Sequence, residues 1–445
     1  MEYPVQYVLT GATGVEASGE GRGHIDADTL SIRPTYGEAL WFSLRDFTDV
    51  SAADYRVRIG LISDEELTLS GLGYKYEDFV RVLSRFRNEM VIKDLLMEES
   101  LKKSEVPAEF HYQPDSGTEG RGGGCKVRLY ETALVLIPEE GEVLRIPYCY
   151  LSSIREQDYA LVLDMETGET LILSQLGKQL DPFGRVLSEA MNDLSLKAQS
   201  TLRELAPDAD PAAVRKGARL MKDGLAARRR DIEAIDPTLW RELEERIGVL
   251  GLDQEYAFLE SLAQKDRMCI GLKRGLMGDL TGEYLWFLIP IYSVDPAEDG
   301  NLVAMESRST EGGGGATYFF RLVGREAYTG FTEIDELHAA ADAFITTMNR
   351  CMLAVNFRRE PIYLPAERLS EPRYEKYRTA VSRIPELRTL RDHFVGRVVH
   401  RSFEQWQSDV TELMDFNTTA TTDSARWTKA GPEGGAEDAG LQTSV

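Results

Sequence analysis

The sequence predicts an α+β protein organised around an internal duplication, and two observations carry that expectation. The hexapeptide "FVRVLS" at 79–84 returns as "FGRVLS" at 183–188, 104 positions later. Before each hexapeptide the hydrophobic rhythm is one of short runs rich in β-formers; from it onward, a helical stripe begins.

The duplication extends well beyond six residues. Residues 37–90 align with 141–194 at the same offset without a gap. Gly37 meets Gly141, Asp54 and Tyr55 meet Asp158 and Tyr159, and Leu67, Leu69 and Ser70 meet Leu171, Leu173 and Ser174. Upstream, Leu30 and Pro34 meet Leu134 and Pro138. Positions that differ keep their character, as Phe47 with Leu151, Val50 with Ile154 and Met90 with Leu194. Solenoid units repeat every ~20–50 residues, so copies this long are expected to bury cores of their own.

Within each copy the elements follow in order. "TLSIRP" and "TALVLIP" read as strands closed by Pro34 and Pro138. "ALWFSL" and "VLRIPY" supply the next strand, then "YRVRIGLIS" and "YALVLDMET". "ELTLSG" and "ETLILS" follow across hairpin turns at Ser63-Asp64 and Thr167-Gly168. Phe79, Leu83, Phe86 and Met90 then recur at helical spacing, as do Phe183, Leu187, Ala190 or Met191, and Leu194. Asp181-Pro182 reads as the N-cap and first residue of the second helix.

Antiparallel strands closed by one C-terminal amphipathic helix resemble the pleckstrin-homology-like (PH-like) superfold. The likeness rests on "RIPYCYLSSI", "YALVLDMETGETLIL" and "DPFGRVLSEAM" with their earlier twins. It implies tandem, partly open β-barrels over roughly 23–100 and 125–200, each capped by its helix, with Leu83 and Leu187 in the barrel mouths. A different small α+β sandwich would show the same order.

The expected plan is a first module at 1–103, a linker at 104–124 and a second module at 125–200. A helical connector at 201–262 starts at Asp210-Pro211 and Asp236-Pro237. A third α+β region at 263–360, read as a diverged PH-like copy, is followed by C-terminal helices at 361–415 and a disordered tail at 416–445. Glycine-rich stretches, "GEGRGHI" at 19–25 and "GTEGRGGGCKV" at 117–127, lead into the two copies. A phosphate loop opens a helix, whereas these enter strands, so linker or hairpin is the expectation.

Net charge is −23, which disfavours long-range attraction to nucleic acid or anionic lipid. Apolar runs such as "LWFLIPIY" fall short of the ~20 residues of a membrane helix. The N-terminus shows no secretory signal and the four cysteines are scattered, which points to a cytoplasmic protein with reduced thiols. Arginine outnumbers lysine, as in GC-rich prokaryotic genomes.

Catalytic signals are absent. His393 and His400, seven apart in "HFVGRVVH", are expected on a helix as surface or cap residues, because zinc sites favour closer pairs. Cys149 is expected as a small buried residue, and Glu65-Glu66 and Glu139-Glu140 as solvated turn residues. Arg228-Arg229-Arg230, followed by Asp231 and Glu233, reads as a solvated helix face. No catalytic, cofactor or metal residue is assigned. Some PH-like families bind phosphoinositides through basic residues of the first hairpin, and here Arg121, Lys126 and Arg128 are the nearest cations for an anion contact. The expected function is a non-catalytic scaffold that binds a protein or peptide. The alternatives are peripheral binding to anionic membrane through the second module, and an enzyme with its site between the third region and the C-terminal helices.

Overall fold

The computed structural model describes residues 2–95, 99–115, 120–139, 143–275, 282–295, 298, 300–309, 315–331 and 333–429. The chain is α+β with curled antiparallel sheets, and it divides into two compact units, Met1–Leu187 and Ser188–Val445.

The first unit holds two sheets of seven strands. One contains β1 (Glu2–Gly11), β2 (Gly14–Ile25), β3 (Thr29–Pro34), β4 (Leu40–Ser43), β5 (Phe47–Ala53), β6 (Arg56–Leu61) and β7 (Glu66–Ser70), followed by α1 (Tyr76–Asp94). The other contains β8 (Leu101–Gln113), β9 (Arg121–Tyr130), β10 (Ala133–Pro138), β11 (Leu144–Pro147), β12 (Leu151–Gln157), β13 (Ala160–Met165) and β14 (Thr170–Ser174). Helix α2 (Leu180–Leu205) follows and enters the second unit at Ser188. Strand order is β4-β3-β2-β1-β7-β6-β5 in one sheet and β11-β10-β9-β8-β14-β13-β12 in the other. From β3 to β7 every strand boundary recurs 104 positions later.

Repeated residues occupy repeated backbone geometry. Asp54-Tyr55 (φ 51° and 58°) and Asp158-Tyr159 (φ 51° and 60°) close two-residue hairpins with both residues left-handed. That turn twists in the same sense as the strands it joins. In the first sheet Tyr3, Val5, Tyr7 and Leu9 alternate into a core shared with Phe79, Leu83 and Met90 of α1. Leu83 and Leu187 are both wholly buried.

Several expectations change. Residues 104–113, expected as linker, belong to β8; of the glycine-rich lead-ins, 19–25 lies in β2 and 121–127 in β9, while 117–119 lie outside the described residues. A side chain at Gly21 would meet the Arg33 carbonyl at 2.4 Å, and one at Gly122 the Phe110 carbonyl at 2.7 Å. These glycines therefore serve close strand approach rather than flexibility. Strands β5 and β12 had no apolar signal because they expose most of their side chains. Helix α2 starts at Leu180, before Asp181-Pro182.

The second unit is built on one six-stranded sheet. Its helices begin with α3 (Pro211–Leu220), α4 (Arg229–Glu233), α5 (Pro237–Val249) and α6 (Asp253–Leu262). Asp210 and Asp236 cap α3 and α5, each accepting a backbone N–H two residues on, at 3.0 and 2.9 Å. The strands β15 (Ala227–Arg228), β16 (Cys269–Arg274), β17 (Glu283–Ile291), β18 (Leu302–Ser309), β19 (Ala316–Arg321) and β20 (Phe394–Val399) pair in sequence order. Between β19 and β20 run α7 (Arg325–Gly330), α8 (Ile334–Ala354), α9 (Glu360–Tyr363), α10 (Ala366–Leu369), α11 (Glu375–Arg383) and α12 (Pro385–His393); α13 (Phe403–Thr419) comes last.

Every residue of β17, "EYLWFLIPI", is buried, because helices cover both faces of the sheet. Leu285, Phe287 and Ile289 pack with Trp240, Leu259 and Trp406 from the layer of α5, α6 and α13. On the opposite face, His338 of α8 bonds Tyr292 at 2.7 Å, while Phe357 beyond its end meets Tyr284 and Trp286. Helix α8 thus lies along β17, and the six strands pair in sequence order, so this region does not repeat the strand order of the first two sheets. "HFVGRVVH" is strand β20 flanked by its histidines, not a helix. Its β-branched Val395, Val398 and Val399 fit a strand, and pairing with β19 decides the matter. The connector and C-terminal regions thus each contribute a strand. The expected tail is ordered further than the sequence implied, with α13 reaching Thr419 and the Trp427 N–H bonding the Val395 carbonyl at 2.8 Å; residues 430–445 lie outside the described residues.

Candidate functional site

The two sheets of the first unit place equivalent residues on equivalent outer faces, and the two faces differ in what covers them. Across the second sheet, Arg145 of β11 pairs with Val135 of β10, and Val135 with Arg128 of β9. Across the first, Trp41 pairs with Ser31, Ser31 with His24 and His24 with Glu2. The neighbouring row is Ile137 beside Lys126 and Pro107 in the second sheet, and Arg33 beside Arg22 and Pro4 in the first.

The second face is closed by the chain that joins the modules. Glu89 of α1 and Glu105 of β8 both bind the Arg128 guanidinium, and Glu105 also bridges Lys126 at 2.9 Å. Glu99 accepts from Arg145 at 2.8 Å and from the Thr132 N–H at 2.8 Å and its hydroxyl at 2.6 Å. Between these pairs Val135 and Ile137 are buried, as are Val91, Ile92 and Leu95 of the joining segment. Burial works against the Arg128 charge, but its hydrogen bonds to Glu89 and Glu105 raise its pKa. Burial likewise opposes ionisation of Glu105, and Arg128 and Lys126 overcome it, holding that carboxyl below the usual range.

The first face is open. Trp41, which stands where the second sheet has Arg145, is 64% exposed. Along the neighbouring row of Arg33, Arg22 and Pro4, a surface cleft of about 560 Å³ is lined by Glu2, Pro4, Gln6, Glu20, Arg22 and Arg33 among others. Arg22 lies 3.6 Å from Glu2 with both side chains largely exposed. Arg33 has no ion pair among the described residues.

The sequence-derived anion contacts do not converge. Lys126 and Arg128 are held by Glu105, whereas Arg121 sits near the far end of β9 with its guanidinium 5.4 Å from the Tyr112 ring. The three arginines at 228–230 are paired rather than solvated. Arg228 and Arg230 reach Asp342 of α8 at 2.7 and 3.6 Å, and Arg229 bridges Glu233 and Glu260 at 2.8 and 2.9 Å.

Sequence reasoning missed one buried polar array in the second unit. His400 donates or accepts at both ring nitrogens, with Nε2 2.8 Å from Glu306 Oε2 and Nδ1 3.2 Å from Glu255 Oε1. The Thr317 hydroxyl donates to Glu306 at 2.6 Å and accepts from the Trp406 indole at 2.9 Å. Burial opposes a charged imidazole, but Glu306 and Glu255 win and raise the His400 pKa. The array ties β18, β19, α6 and α13 around one charge pair. A signal was present in the carboxylate of the otherwise apolar "LVAMES". His393 also turns inward, its Nδ1 2.6 Å from the Arg321 carbonyl.

All four cysteines are buried, Cys149 among them as expected. Burial and the nearby Glu139 push the Cys125 thiol up to about 12, which keeps it protonated. Among the described residues, no group of three or more His, Cys, Asp or Glu could hold a metal ion, and no helix is long and apolar enough to cross a membrane.

No known protein family matches the chain, and neither does any curated protein. Among solved structures, a chain from "Structure of the Spt16D Pob3N heterodimer" is similar at 13% identity and a TM-score of 0.17, over 37% of this chain and 82% of that one. A likeness of that degree assigns neither fold nor function.

Proposed function

We propose that this chain is a cytoplasmic protein-interaction scaffold of tandem PH-like modules, and that the outer face of its first sheet receives a carboxylate-bearing segment of a protein partner. One observation carries the reading: the same face in the second sheet is covered by a Glu-bearing segment of the chain itself, while the first stands open around Trp41 and Arg33. Seven strands followed by one helix, twice over, support the PH-like assignment. An exposed tryptophan beside arginines is the composition of an interface anchor. Membrane binding through the second module has less support, because Lys126 and Arg128 already have carboxylate partners.

Photo-crosslinking tests this. Benzoylphenylalanine placed at Trp41 is expected to capture a protein in the native host, and Arg33→Glu to abolish the capture. The same probe at Arg145 is expected to give only crosslinks within the chain. Capture that survives Arg33→Glu, equal capture from both positions, or capture of lipid alone overturns the reading.

A further inference from the structure

Arg128 and Arg229 are each held by carboxylates in direct contact, whereas four arginines of the second unit share few. Arg321 ends β19, Arg325 opens α7, Arg391 lies in α12 and Arg426 follows α13. Among the described residues, the Arg391 and Arg426 guanidiniums donate to backbone carbonyls and make no ion pair. Burial lowers the pKa of Arg321, Arg391 and Arg426, and the like charge of Arg325 or Arg426 adds to the effect at Arg321 and Arg391. In a chain of net charge −23, this is a local excess of cations.

Asp423 is the carboxylate set against Arg321 and Arg325, and it meets them loosely. Its Oδ1 accepts the Arg325 backbone N–H at 3.3 Å and lies 3.6 Å from both Arg321 Nη1 and Arg325 Nε. Those two separations are too long for hydrogen bonds. The Nη2 atoms of both arginines are buried, and among the described residues neither has a hydrogen-bond partner. Arg321 as a whole is 2% exposed. Buried guanidinium donors without acceptors are costly, so two of them beside one ill-fitting carboxylate call for an explanation.

Room for a better acceptor lies where that carboxylate stands. The Asp423 side chain is 55% exposed. Its backbone carbonyl is held separately, accepting from Arg321 at 2.6 Å and from Arg426 at 2.9 Å. The carboxylate is thus free to turn into solvent while the segment stays in place, and the space it leaves adjoins both guanidiniums.

We infer that Arg321 and Arg325 form a binding site for a phosphate group, free or carried by a small alkyl ester, and that the Asp423 carboxylate occupies it in the absence of ligand. The site lies within the second unit and is independent of the interaction face on the first sheet. A tetrahedral dianion offers more acceptor oxygens than a carboxylate, so it serves the Nη2 donors that Asp423 does not reach. Its second charge answers the excess that Arg426 contributes.

Calorimetric titration of the full chain with sodium phosphate and with glycerol 3-phosphate, at constant ionic strength set by chloride, tests this. Saturable binding of at least one is expected. Tighter binding of glycerol 3-phosphate identifies an ester as the ligand type, and equal or weaker binding identifies the free anion. Asp423→Asn keeps an acceptor for the Arg325 N–H but removes the competing charge, and it is expected to tighten binding about tenfold. Arg325→Gln is expected to weaken binding about tenfold or more. Melting curves give a second reading: the better ligand should raise the melting temperature of Asp423→Asn more than that of the wild type, and that of Arg325→Gln least. Absence of saturable binding to the wild type, equal affinity across the three proteins, or weaker binding by Asp423→Asn overturns the inference.

Discussion

Replacing His400 with glutamine should destabilise the second unit more than most single substitutions, for a reason visible in its surroundings. Glu306 is wholly buried, and His400 is the cationic group that touches it, at 2.8 Å. Without the imidazole, Glu306 keeps, among the described residues, only the Thr317 hydroxyl at 2.6 Å, and a buried carboxylate stripped of its counter-charge costs about 3–5 kcal/mol. Glu306→Gln removes that charge, so His400→Gln in its background should cost at least about 1 kcal/mol less than alone.

The pH dependence has a definite sign. The folded pKa of His400 is raised, burial being outweighed by Glu306 and Glu255. The protonated state is thus favoured by folding, and its contribution is fully present below about pH 6.5, the unfolded value. It is lost as pH rises through the folded value. Urea unfolding followed by tryptophan fluorescence reads this unit well, since Trp240, Trp286, Trp406 and Trp427 lie in it and only Trp41 in the other. A His400→Gln cost below about 1 kcal/mol at pH 6, with the pH profile of the wild type retained, would refute the ion-pair reasoning.

Three further outcomes follow from the first unit. Arg128→Glu should destabilise it by at least about 3 kcal/mol, because it sets a third carboxylate against Glu89 and Glu105, whereas Arg33→Glu on the open face should stay within about 0.5 kcal/mol; equal effects would mean the two faces are equally covered. Leu83→Ala and Leu187→Ala should each cost about 2–5 kcal/mol in denaturant titrations, and a small effect at either would separate the two helices in role. Tyr159→Gly should stabilise the second hairpin by about 0.5–1 kcal/mol, since Tyr159 is 86% exposed and held at φ 60°; a lower melting temperature would count against that strain.

Much of the first unit was legible because its signals are local. Leu67, Leu69 and Leu83 mark strand and helix by spacing alone, and the doubling of such marks located four strands in each copy, β3, β4, β6 and β7 with their counterparts, but not the polar β5 and β12. The glycine-rich β2 and β9 were obscured for the opposite reason. Glycine is a weak strand former in isolation, and only the neighbouring strand explains Gly21 and Gly122.

By itself, then, the sequence determined β3, β4, β6 and β7 with their copies, the two closing helices and the caps at Asp210 and Asp236. Each depends on residues within a few positions of one another, so each is written in the local rhythm. Tertiary structure alone decided that "FVGRVV" joins a sheet, that Glu306 meets a histidine 94 positions away, and that one outer face is covered while its twin is open. Those outcomes turn on which distant group arrives to pair or bury a residue, and a carboxylate or an arginine in the chain carries no mark of the partner that will meet it.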